Sequence, residues 1–99
     1  MELSTALERL PARARIPTLA KRSFFHAWRS GGQLIIENAV GTTRSINTLY
    51  WETVRQRRRS LGFDKNTTSE YTDPKWNLPP PTDRIFAPYV AAVMKYLGA

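Results

Sequence analysis

Gln33-Leu34-Ile35-Ile36-Glu37-Asn38-Ala39-Val40-Gly41-Thr42-Thr43-Arg44-Ser45-Ile46-Asn47 is the stretch that decides the fold. Leu34, Ile35 and Ile36 favour a strand, bounded by Gly32 and Gly41. Ala39-Val40-Gly41 predicts a three-residue hairpin loop in which Gly41 supplies the left-handed residue. That register sets Asn38 opposite Thr42 and Leu34 opposite Ile46, so Leu34, Ile36 and Ile46 share one face. A slip of one residue would break the match, because strand side chains alternate between faces. Asn47 then caps a helix reaching about Leu61. Ile46 and Trp51 form a hydrophobic staple across its first turn, and Gly62 supplies the stop.

Upstream, Leu3, Leu7 and Leu10 predict a short helix over residues 3–10, with Ser4 as its cap and Pro11 as its end. Residues 11–17 read as an exposed basic connector carrying Arg13 and Arg15. Residues 18–28 fit both periods. Ala20, Phe24, Ala27 and Trp28 suit a helical face, whereas Phe24, His26 and Trp28 alternate as in a strand. The residues predict a helical turn near 18–22, then a strand over 24–28 that ends at Gly31-Gly32.

Downstream, residues 63–82 lose regular signals. Asn66-Thr67-Thr68-Ser69 is turn-forming and Pro79-Pro80-Pro81 is a stiff polyproline stretch. Phe63, Tyr71, Trp76 and Leu78 are expected to pin this long, ordered loop across the core. A last helix over about 88–97 takes Pro88 in its first turn and buries Tyr89, Val90, Val93, Met94 and Leu97. The expected architecture is one domain over residues 1–99. Its class is α+β, a small antiparallel sheet of two to three strands with helices packed on one face.

Composition narrows the chemistry. With 41% apolar and 11% aromatic residues, the chain can bury one modest core. It has no cysteine, which excludes disulfides, iron–sulfur sites, cysteine zinc sites and thiol nucleophiles. His26 is the sole histidine, so poly-histidine metal sites and HExxH motifs are excluded as well. No cofactor or metal is expected. No apolar run is long enough for a membrane span, and the N-terminus lacks a secretory apolar region. A cytoplasmic protein without membrane contact is the expectation.

The net charge of +7 is unevenly placed. Residues 1–62 hold eleven Lys or Arg against four acids, while residues 63–99 hold four of each. Ten of the eleven are arginine, whose planar fork matches phosphate oxygens. On the predicted middle helix, Arg57 and Arg58 flank the buried stripe Tyr50–Val54–Leu61, with stems on apolar surface and heads in water. Arg55 and Arg59 point outward, roughly 40° apart, and Glu52 can pair with Arg55. Arg44 on the second hairpin strand, with Arg13, Arg15 and Arg22, completes the candidate contact set for DNA or RNA, beside an exposed aromatic for base stacking. No helix-turn-helix, RNP or GxxG signature accompanies it.

Catalytic patterns are lacking. His26 lies amid Phe25, Ala27 and Trp28, without a nucleophile and carboxylate at diagnostic spacing. Glu37, Glu52, Asp73 and Asp83 sit on separate predicted elements, and no GxGxxG, GxxxxGK[ST] or GxSxG motif occurs. The expected function is therefore non-catalytic binding of nucleic acid or another polyanion. The alternative is a self-associating or protein-binding module using Trp51, Trp76, Tyr89, Val93 and Met94 as contact residues.

Leu34-Ile35-Ile36-Glu37-Asn38 with Gly41, then Ser45-Ile46 and a helix, form one motif. Tyr71-Thr72-Asp73-Pro74-Lys75-Trp76, followed by Ile85-Phe86-Ala87-Pro88-Tyr89-Val90, form another. Together covering about half of the chain, they resemble small α+β proteins encoded on bacterial integron gene cassettes. The resemblance implies a compact protein of a mobile element and carries over no catalytic residue. The basic N-terminal arm and the arginine-rich helix lie outside it.

Overall fold

The computed structural model describes residues 1–62, 68–73 and 84–98. Its centre is an antiparallel meander of four strands, β1 (Ala14–Pro17), β2 (Phe24–Ser30), β3 (Gln33–Glu37) and β4 (Thr43–Ile46), each paired with its sequence neighbour. Helix α1 (Leu3–Arg9) precedes the sheet. Helices α2 (Thr48–Leu61), α3 (Thr68–Tyr71) and α4 (Ala87–Tyr96) follow it, and a 3-10 turn over Arg84–Phe86 leads into α4. The α+β class is as expected, but the sheet has four strands rather than two or three.

The β3–β4 hairpin adopts the register read from its residues. Leu34 lies opposite Ile46, and the Asn38 N–H donates to the Thr42 carbonyl at 3.0 Å. The Asn38 side-chain oxygen accepts from the N–H groups of Val40 and Thr42, and Gly41 takes a φ of +87°. At the start of α2 the Asn47 side chain accepts from the Tyr50 N–H at 2.8 Å, satisfying one orphan donor of the first turn. Gly62 ends the helix at φ +90° and ψ 140°, a positive φ outside the left-handed helical region.

The N-terminal third departs from expectation. Residues 11–17 are not simply a connector, because Ala14–Pro17 forms the edge strand β1. Ala14 and Ile16 are buried while Arg15 and Pro17 are exposed, the period of a half-buried strand. An edge position also tolerates Pro17, which has no N–H to give a ladder. Residues 18–23 make a turn, closed by the Thr18 N–H donating to the Ser23 carbonyl at 3.0 Å, in place of the expected helical turn. Gly31 and Gly32, at φ +57° and +77°, do more than end a strand. They form the two-residue turn of the β2–β3 hairpin, closed by the pair Ser30 and Gln33. Ser4 does not cap α1, whose N-cap position is Glu2 without a side-chain bond.

One face of the sheet makes the core. Ala14, Ile16, Phe25, Ala27, Leu34, Ile36 and Ile46 are all buried, and α1 and α4 lie against them through β3 and β1. Helix α2 packs on α1 and α4. Its Trp51 is 0% exposed and donates its indole N–H to the Met1 carbonyl at 3.0 Å, tying the chain start to the helix. From Ala87 to Met94 every residue of α4 except Tyr89 is buried, so this helix is central and not merely amphipathic. In the region expected to be a loop, α3 adds one helical turn, and Tyr71 is fully buried. Phe63, Trp76, Leu78 and the three prolines lie outside the described residues. Among the described residues, no helix is long and apolar enough to cross a membrane.

Candidate nucleic-acid interface

The alternation that buries Phe25 and Ala27 turns Phe24, His26 and Trp28 to the opposite face of β2. Phe24 is 47% exposed, and His26 and Trp28 are half-buried. Among the described residues, no helix lies on this face. The strand register adds its neighbours: Arg15 lies opposite His26, which lies opposite Glu37, and Trp28 lies opposite Ile35. Arg13, one residue before β1, continues the same face.

Both arginines rest on the rings. The Arg13 guanidinium carbon lies 5.0 Å from the centre of Trp28, and that of Arg15 lies 4.1 Å from the centre of Phe24. Arg13 also pairs with Glu37, Nη2 to Oε1 at 2.6 Å, with side-chain exposures of 55% and 26%. Beside Arg15 the face dips into an open cleft lined by Ser23, Phe24, His26, Glu37 and Asn38. The open face therefore holds two guanidiniums, three ring systems and one carboxylate.

Of the six arginines expected to contact nucleic acid, the fold brings Arg13 and Arg15 together here. Arg22 sits exposed in the turn that leads into β2. Arg44 does not join them. It lies opposite the buried Ile36, hence on the helical side of the sheet, with its guanidinium 5.5 Å from the Phe86 ring centre. Arg55 and Arg59 are on α2, which packs against the helices of the inner face. Arg55 is held by Glu52 at 3.0 Å, as its spacing implied. The hairpin and the arginine-rich helix thus do not line one groove with the N-terminal arm.

The expected protein contacts are corrected more sharply. Trp51, Val93 and Met94 are at most 1% exposed, and therefore belong to this chain's own core. Tyr89 packs edge-on against Phe25 at 5.0 Å and lies 5.4 Å from Phe86. Trp76 lies outside the described residues. What the sequence reading missed is the row Phe24–His26–Trp28 as an assembled surface beside Arg13 and Arg15. The Gly31-Gly32 pair was the available signal, since a two-residue glycine turn fixes the hairpin and hence the faces.

Arg57 and Arg58 also differ from expectation. Their side chains are buried with their heads, at 0% and 3% exposure. An Nη1–H of Arg57 donates to the Tyr71 carbonyl, which clamps α3 to α2. Burial lowers the pKa of Arg57, opposed by the charges of Tyr50, Asp73 and Tyr71. Burial raises the Tyr71 phenol above its ordinary value of 10, and the hydrogen-bonded Arg58 beside it works the other way. A raised phenol keeps the folded state protonated where the unfolded chain already ionises, so Tyr71 favours folding below pH 10 and this contribution fades as pH rises through its folded pKa. In an alkaline absorbance titration, the native protein should show a late phenolate step that Tyr71→Phe removes. An identical titration in the variant would mean the phenol is not held back.

Among the described residues, no group of three or more His, Asp or Glu side chains is placed to hold a metal ion. Compared with protein-family models, curated proteins and solved structures, the chain matches none.

Proposed function

We propose that this protein is a non-catalytic nucleic-acid-binding module whose contact surface is the open face of the sheet. The observation that supports the reading is the pairing of Arg13 and Arg15 with Trp28 and Phe24 on that face. Arginine neutralises phosphates and releases counterions, which is the main sequence-independent source of affinity for nucleic acids. Phosphate contacts position the strand, and the rings beside them offer apolar surface to whatever those phosphates carry. The surplus of seven positive charges in residues 1–62 favours encounter with a polyanion. The protein-binding alternative draws little from Trp51, Val93 and Met94, because all three are spent in the core.

The test is affinity against salt. Binding to DNA or RNA oligonucleotides should weaken steeply as salt rises and vary little with sequence. Replacing Arg13 and Arg15 together by Gln should lower the salt slope by about one to two units, while the pair Arg55→Gln and Arg59→Gln should change it by less. No binding of either nucleic acid at about 50 mM salt, where such contacts are strongest, would overturn the reading.

A further inference from the structure

We infer that the open face takes a single strand, with its bases unstacked from one another and laid on the rings of β2. This rests on the nucleic-acid reading and narrows it. Phe24, His26 and Trp28 are two residues apart on one face of an extended strand, so they step by about 7 Å. That step is about twice the 3.4 Å rise between stacked bases of a duplex strand. A duplex cannot match it and hides its base faces in any case. An extended single strand can meet both demands, because each base is free to turn its face to a ring.

The charges bracket the same row. Arg15 lies on β1, the strand hydrogen-bonded to β2, opposite His26, and Arg13 directly precedes that strand. Their guanidiniums rest on Trp28 and Phe24, the two ends of the ring row, so a strand laid along the rings meets a positive charge at each end. In the free protein those guanidiniums sit over Trp28 and Phe24, and Arg13 is held by Glu37. Binding exchanges these contacts. A phosphate takes Arg13 from the Glu37 carboxylate, and a base takes the place of the guanidinium on the Trp28 ring. Glu37 is the anion that keeps the site closed to weaker competitors.

The experiment compares a single-stranded oligonucleotide of about 12 nucleotides with the duplex of the same sequence, by fluorescence anisotropy at low salt. The single strand should bind at least about 10-fold more tightly. Trp28→Ala and Phe24→Ala should each weaken single-strand binding by roughly 10-fold, the usual loss for one stacking ring, with thermal melting of the exposed Phe24 variant nearly unchanged. Glu37→Gln should tighten it several-fold, by freeing Arg13 and by removing a negative charge from the face. Equal or tighter binding of the duplex would overturn the inference. So would unchanged single-strand affinity in both ring variants when the Arg13 and Arg15 variants have lost theirs, and in both cases the nucleic-acid reading would stand. Binding of neither form would remove that reading as well.

Discussion

Trp51→Ala should destabilise the protein by about 4 kcal/mol, the cost of emptying a fully buried tryptophan site. Trp51 is 0% exposed, and its indole N–H holds the Met1 carbonyl at 3.0 Å, so the substitution opens a cavity and also leaves that carbonyl unpaired. A chain of this size has roughly 5–15 kcal/mol of stability in total. The variant should therefore lose on the order of 15–30 °C in melting temperature. Urea denaturation followed by circular dichroism measures the effect directly. The control is Trp28→Ala on the open face, which should cost about 1 kcal/mol or less. A Trp51 variant as stable as that control would mean that α2 is not the anchor of the N-terminus.

The second large effect belongs to Arg57. Its whole side chain is buried, and it bonds the Tyr71 carbonyl across the α2–α3 junction. Arg57→Ala should cost about 3 kcal/mol, because it removes a large packed side chain and leaves buried polar groups without their partner. Arg59→Gln, two residues on and exposed, should stay within about 0.5 kcal/mol. Arg57→Met should fall between them: it keeps most of the volume and relieves the burial of a charge, but cannot donate to the carbonyl. Chemical denaturation of the three variants gives the ordering. Equal stability of Arg57→Ala and Arg59→Gln would place the Arg57 head in water.

The parts of the fold that were legible in the sequence are those whose chemistry is local. Asn38, Gly41 and Asn47 each act within four residues of themselves, and each makes the turn or cap that its type favours. β1 was not legible for the opposite reason. Two apolar residues, Ala14 and Ile16, are too short a pattern to announce a strand, and Pro11 and Pro17 speak against one. What makes it a strand is β2, reached only after a six-residue turn. The candidate site inherits the same division. Helical geometry places Arg55 beside Glu52 correctly, because both belong to one helix. The union of Arg13 with Trp28 spans two strands, and the burial of Arg57 depends on a carbonyl fourteen residues away. Neither can be read from a periodicity.

The turn at Gly31-Gly32 has a consequence that reaches well beyond its own two residues. Side chains along β2 belong to two sets by parity, one holding the core and the other facing out, and the turn decides which is which. Adding or deleting a single residue there would shift the pairing of β2 with β3 by one. Phe24, His26 and Trp28 would then compete for a core shaped for Phe25 and Ala27. With parity kept, the outward set can change with little cost to the inward one, so the make-up of the open face and the folding of the core are separable properties of the same seven-residue strand.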